Sequence, residues 1–473
     1  MGTDRETLYK QSMQHARDMR AKLTRRQMLQ ISAAMAAAAG VGIAPKWARS
    51  SDTNGPGWYT DDSLEGDVVA YTFAGQRWGL PLEAVVATFK ERFPNVNVKI
   101  IAEPVGEAYT KMQVYAASRS DSYNCAINDH NVMSSIGTIG TPLNLDEWLA
   151  EDQGWLDDYH ADVPANVTVG YNFPQTPEGH HASIAFDSNT KLMYYRQDKF
   201  DEAGVTKVPT TWEETIEVCK ALHDPDNDIY GFVTTGRRGL FAGLELYQMV
   251  RSYGGVWFDE NWEPQFNTEI GHKAFSMLLK LMEYRHPITM NATDEEANSV
   301  LAKGSAVFAP MEWGTSVLQD PNFTDHHAHF RSDVVPGGET PESKQEPLMG
   351  GFGFYVNSFG DDHRAAFEWV KHMSSGDYVD TRIGEDFVNA AGQPARTSLL
   401  NKYADKQPYF DALAKSIPIC TPGFVWVPPT FTLADTLGND VAAVIAGEKG
   451  MEEALVDIDA AQRQIMADNG YYD

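Results

Sequence analysis

Cysteine is nearly absent from this chain: Cys125, Cys219 and Cys420 are the three among 473 residues. An odd count at wide spacing excludes a disulfide framework. With no CxxC or CxxCH pattern, it also argues against zinc-ribbon, haem c and iron–sulfur sites. Cys125, in a strand-like run, and Cys219, on the apolar face of an expected helix, read as small buried hydrophobes. Basic side chains are scarce too, with 38 Lys and Arg against 66 Asp and Glu, a net charge of −28. The first 50 residues hold nine of the basic and three of the acidic ones, so the remainder carries 29 against 63, a net of −34. Such a surface repels phosphate backbones and anionic lipids, which argues against nucleic acid as a partner. No long apolar run exists: the stretch 31–44 is Ala-rich and shorter than the roughly 20 residues that span a bilayer. GxSxG, HExxH and P-loop patterns are missing, and the GxG at 351–353 opens no glycine-rich strand-to-helix turn.

What is present begins with an address. Arg25 and Arg26 stand together in TRRQMLQ (24–30), behind a basic leader and ahead of the Ala-rich run. Twin arginines before a mildly apolar stretch resemble a twin-arginine (Tat) export signal. Residues 1–49 are therefore expected to be a signal peptide, cleaved near Ala44 or Ala48, and the protein to be periplasmic or extracellular. No cysteine lies near that point, which argues against a lipid-modified N-terminus. No cofactor motif appears, and none is expected.

After residue 57 the chain reads as α/β. VVAYTF (68–73) is a strand, 79–94 has helical spacing, and VNVKII (96–101) alternates as strands do. That βαβ unit implies a parallel sheet with a right-handed crossover. A helix near 107–118 and a strand ending at Ile127 extend it. Ligands gather at the carboxyl ends of such strands, so 74–78 and 129–131 are the loops to watch. ASIAF (182–186) reads as a strand, and Pro209, Thr210 and Glu213 mark a helix start with a capping box. HDPDNDIYG (223–231) lacks the Gly and Glu of a calcium loop and reads as a polar turn. Strands are expected within 299–313 and over 350–357, helices at 362–374 and after 396, and two amphipathic helices in the last 40 residues. The histidine groups His180–His181 and His326, His327, His329 fall in polar stretches without metal-ligand spacing. They read as surface residues, and no metal is expected.

Seven segments occur in a distinctive order: FKERFPNVNVKI, LMYYRQDKFDEAGV, PTTWEET, GGVWFDENWEP, AKGSAVFAPMEWG, GGFGFYVN and VIAGEKGMEEAL. In that order they resemble family 1 extracellular solute-binding proteins, the sugar-binding subunits of ABC importers. GGVWFDENWEP with MYYRQD looks like the polyol-binding branch. The resemblance implies a type II periplasmic-binding-protein fold, two α/β lobes joined by a hinge that the chain crosses several times. It places lobe one at 66–185 and 311–392, and lobe two with the C-terminal helices at 186–310 and 393–473. Crossings are expected near 185–190, 310 and 393. A monomer is expected, with a membrane permease as partner.

Sugar hydroxyls need paired donors and acceptors, and sugar C–H faces need flat aromatic surfaces. Gln76, Arg77 and Trp78 follow the first strand, and Asp129 and His130 follow another strand end. Glu312 and Trp313 stand at the second crossing, and Gly351 and Phe352 open a strand. By resemblance, Trp313 is the sugar-stacking residue, and Asp187 and Asn189 lie at the first crossing where a hydroxyl-binding side chain is common. By the same resemblance, Phe241, Glu245 and Tyr247 are expected to face the cleft from lobe two, and Arg396 to come from the third crossing, unless it or Arg77 is spent in a salt bridge between the lobes. Trp212, Trp257 and Trp426 read as structural. The reading is capture of a neutral sugar or polyol by hinge closure without bond breaking. A secreted glycoside hydrolase or lyase, or a sensor receptor on the same fold, are the alternatives.

Overall fold

The computed structural model describes residues 59–74, 79–375, 384, 388 and 392–472. The expected signal, and Gln76, Arg77 and Trp78, lie outside the described residues.

Strands β1 (Gly66–Phe73) and β2 (Val96–Glu103) run parallel, joined through the helix Gly79–Arg92. This is the βαβ unit that the change of hydrophobic period marks. The strand β3 (Cys125–Asp129) pairs parallel with β1 and ends at Asp129, two residues later than expected. A two-stranded hairpin follows, β4 (Asn172–Phe173) with β5 (His180–His181). Then comes β6 (Ile184–Arg196), 13 residues, every one buried. The strand expected from sequence ends at Phe186, at the expected crossing near 185–190 and before the polar residues Asp187, Ser188, Asn189, Thr190 and Lys191. The ladder continues through them. The remaining strands are β7 (Phe308–Trp313), β8 (Phe330–Val334), β9 (Leu348–Val356) and β10 (Thr421–Pro422). The sheet order is β2-β1-β3-β9-β6-β7, with β8 on β6 and β10 on β9.

β6 changes partner along its length. Residues 184–190 pair antiparallel with β9, and residues 191–196 pair with β7 and β8. Because successive side chains leave opposite faces, Leu192 and Tyr194 join one cluster of buried side chains while Met193 and Tyr195 join the other. The first cluster gathers β1–β3, β9 and the helix His363–Met373. The second gathers the helices Leu240–Ser252, Glu269–Met282, Thr430–Ile445 and Met451–Asp468. Buried side chains from Ala395 to Cys420 pack in the first cluster, and those from Phe424 to Tyr471 in the second. The stretch 393–473, expected with lobe two, thus divides between them.

The three segments expected to cross between lobes lie side by side and are hydrogen-bonded. Ser188 N donates to Gln393 O (2.9 Å), Gln393 Nε2 donates to Gly314 O (2.7 Å), and Gly314 N donates to Thr190 O (3.0 Å). The capping box is displaced by one residue: Thr211 is the N-cap of the helix Trp212–Leu222, accepting from Glu214 N, while the Glu214 carboxylate accepts from Thr210 N. Trp212 and Trp257 are core residues, as expected. No helix among the described residues is long and apolar enough to cross a membrane.

The helices Leu240–Ser252 and Thr430–Ile445 touch through glycine. A Cβ on Gly438 would lie 1.7 Å from Gly239 O, and one on Gly243 would lie 2.8 Å from Ala434 O. Gly438→Ala therefore has to push two helices apart, and a loss of about 3 kcal/mol is expected. Chemical unfolding checks this; an unchanged midpoint would mean that the helices do not approach so closely.

Candidate functional site

Asp129 closes β3, where an open sheet offers its ligand crevice. Its register partner on β9 is Phe352, and the partner of Phe352 on β6 is Asp187. Asn189 stands opposite Gly350, and Lys191 of β6 opposite Trp313 of β7. Four neighbouring strands thus bring Asp129, Asp187, Asn189, Trp313, Gly351 and Phe352 into one region. The glycines of GGFG have a steric cause here. A Cβ on Gly350 would come within 3.0 Å of Trp313 Cζ3, so the indole lies directly on the β9 backbone. Gly351 has φ +125°, and a Cβ there would meet Asp187 O at 2.7 Å.

Around Asp129 the hydrogen bonds are local. Its carboxylate accepts from Asn131 N (2.9 Å), Asn131 Nδ2 (2.7 Å) and Tyr109 OH (3.1 Å), yet the residue keeps part of its surface open. His130 beside it is fully buried, and burial pulls its imidazole below the ordinary range against the pull of Asp129. Its Nδ1 accepts from Trp426 Nε1 (3.1 Å), which places the ring proton on Nε2. Tyr171 is buried next to them, with burial foremost and then the charges of Asp129 and Asp187 holding its phenol well above the usual range. Among the described residues, its hydroxyl has no hydrogen-bond partner.

Burial divides the expected site residues. Asp129 and Trp313 are half-buried; His130, Asp187, Asn189, Glu245 and Glu312 are closed off from solvent. Asn189 Oδ1 accepts from the backbone N of Thr190. Glu245 receives Lys191 Nζ at 2.5 Å and Thr235 Oγ1 at 2.7 Å. Glu312 Oε1 accepts from Trp313 N at 2.9 Å. Both carboxylates are thus engaged by neighbouring side chains or backbone. Three expected residues are not brought to this group. Tyr247 packs its ring on Trp257 in the second core (centroids 4.8 Å apart). Phe241, half-buried, carries the Arg237 guanidinium 4.9 Å from its ring. Arg396 is buried and bound to Asp158 (2.8 Å), with Asp162 at 3.5 Å, both on the helix Gln153–Asp162. A buried guanidinium paired in this way is a structural cation.

Sequence reasoning missed Tyr109 and Lys191, and it took Trp426 as structural only. Trp426, half-buried, holds His130 through its indole N–H, and Tyr109, half-buried, holds Asp129. Trp426 carried a signal: it lies in GFVWVPP (423–429), directly after β10, which pairs with β9 beside Gly350. Tyr109 sits within an ordinary amphipathic helix and carried none. Among the described residues, no group of three or more His, Cys, Asp and Glu is arranged to hold a metal. His181 binds Asp146 (2.7 Å) and His160 (3.1 Å) instead.

Burial, reinforced by Asp294 and Glu245 and opposed by Lys191, lifts the Glu312 carboxyl well above the ordinary range. The native state therefore keeps a proton that the unfolded chain releases above about pH 4.3. Stability from this group is complete below that pH and is lost as pH rises toward the raised value. Glu312→Gln removes the slope. Its melting temperature relative to the wild type is expected to rise between about pH 5 and about pH 8; a difference that stays flat or falls contradicts a protonated Glu312.

Comparison with known proteins bears on this arrangement. The 344 residues aligned with the mannitol-binding protein of Pseudomonas aeruginosa are 27% identical, covering 67% of this chain and 78% of that protein. An ABC transporter solute-binding protein from Agrobacterium vitis S4, solved with bound D-mannitol, superposes with TM-score 0.72 at 20% identity, over 86% of this chain and all of that one. Another from Agrobacterium radiobacter K84, solved with ribitol, gives 0.70 at 21% identity, over 85% and 98%. The two superpositions establish the fold as that of the two-lobed type II binding proteins. The family model for bacterial extracellular solute-binding proteins matches residues 75–379, well over half of the chain, and the chain belongs to that family.

Proposed function

We propose that this protein captures a neutral polyol or sugar outside the cytoplasm and delivers it, chemically unaltered, to the permease of an ABC importer. The observation that carries the reading is the pairing of a half-buried carboxylate, Asp129, with a half-buried indole, Trp313, across the glycine start of β9. A carboxylate accepts two hydroxyl protons in fixed directions, and an indole covers a C–H face at low entropic cost. The kinship with a mannitol-binding protein supports a sugar alcohol among these ligands. The hydrogen-bonded crossings at Ser188, Gly314 and Gln393 suit a hinge, with contacts to both lobes favouring the closed state. Lobe one at 66–185 and 311–392 and lobe two at 186–310 and 393–473 remain the proposed division, amended by the packing of 395–420. The Arg25–Arg26 leader supports export through the Tat pathway.

Calorimetry of the protein with D-mannitol, ribitol and maltose tests this. Saturable binding of at least one, with the ligand recovered unchanged, is expected, and Trp313→Ala should weaken it about tenfold or more. Indifference to every sugar and polyol tried, or turnover of any of them, would sink the reading.

A further inference from the structure

We propose that Lys191 is a positioning residue for solute binding: its buried ammonium sets the plane of the Trp313 indole and so controls affinity without touching the ligand. The inference rests on Trp313 being the ligand-stacking side chain. Lys191 lies in the middle of β6 with no exposed side-chain surface. Its Nζ donates to Glu245 Oε1 (2.5 Å) and to Met311 O (3.2 Å), and stands 5.6 Å from the centroid of the Trp313 ring. Lys191 and Trp313 are also register partners, so their side chains leave the same face of the β6–β7 ladder.

The indole is thus held from three directions. Gly350 supports it, Glu312 accepts its backbone N–H, and the Lys191 ammonium is within reach of its π system. Burying an ammonium is expensive, and a well-packed apolar pair usually holds a fold at least as well. The cation has one charged partner, Glu245, and a second buried carboxyl, Glu312, beside it; among the described residues Oε2 of each has no hydrogen-bond partner. Packing alone does not call for this composition. A fixed orientation of the one half-buried indole above it does. Through Glu245, Lys191 links the helix Leu240–Ser252 to that indole, so the second core is tied to the proposed stacking surface.

The test is a double-mutant cycle. Lys191→Met with Glu245→Gln removes the cation without leaving a lone buried charge. It is combined with Trp313→Ala, and binding of D-mannitol, ribitol and maltose is measured in each background. The Lys191/Glu245 change is expected to weaken binding about tenfold when Trp313 is present and less than about twofold when it is absent. Near-UV circular dichroism of the ligand-free protein should lose tryptophan intensity with Trp313 present and little without it. Equal losses in both backgrounds, or none in either, overturn the proposal. If Trp313→Ala alone leaves binding intact, the stacking assignment fails instead. Should the pair not fold, Lys191→Gln, which keeps a hydrogen bond to Glu245 without the charge, takes its place in the same cycle.

Discussion

Thirteen consecutive residues of β6 are buried, and along them the pairing partner passes from β9 to β7 and β8. A strand so enclosed has to pair its backbone groups within the protein, and its ladders continue across a register shift at Ala185/Asp187 and another at Leu192/Tyr194. That requirement holds Asp187 opposite Phe352, Asn189 opposite Gly350 and Lys191 opposite Trp313. It also sets the bonds among the segments proposed to cross between lobes, since Ser188 N donates to Gln393 O and Thr190 O accepts from Gly314 N. The candidate aromatic surface, the carboxylates behind it and the proposed hinge all take their positions from one ladder.

The distribution of charge follows from the same enclosure. Asp129 stays half-open and holds its geometry through local donors, so its acceptor capacity toward solvent survives. Glu245 and Glu312 are sealed, and there a carboxylate is tolerable only beside a cation or in its protonated form. Lys191 serves the first, and the raised proton affinity of Glu312 reflects the second. One type of side chain thus does two kinds of work, separated by a few ångströms of burial.

Much of the fold was legible because it depends on period. The βαβ start, the C-terminal helices and β9 declare themselves by alternation or helical spacing. The middle of β6 was not legible, since five polar residues in a row signal a loop to any pattern that equates burial with apolarity. The cap at Thr211 instead of Thr210 turns on one residue of register, which adjacent threonines do not resolve. Of the candidate site, Asp129 and the β9 glycines are read from strand ends and Trp313 from the family resemblance. Glu245 and Arg396 have the right chemistry for sugar binding, but Lys191 and Asp158, far off in sequence, engage them, and Tyr247 packs on Trp257 ten residues on, a contact that helical spacing does not announce.

The most direct measurement is a crystal structure grown with D-mannitol or ribitol. It should show the ligand's C–H face on the Trp313 indole and at least one hydroxyl within hydrogen-bond distance of the Asp129 carboxylate, with its bonds intact. A ligand bound away from both residues, or a cleaved or oxidised product in the crevice, would contradict capture and release of an unaltered solute at this site.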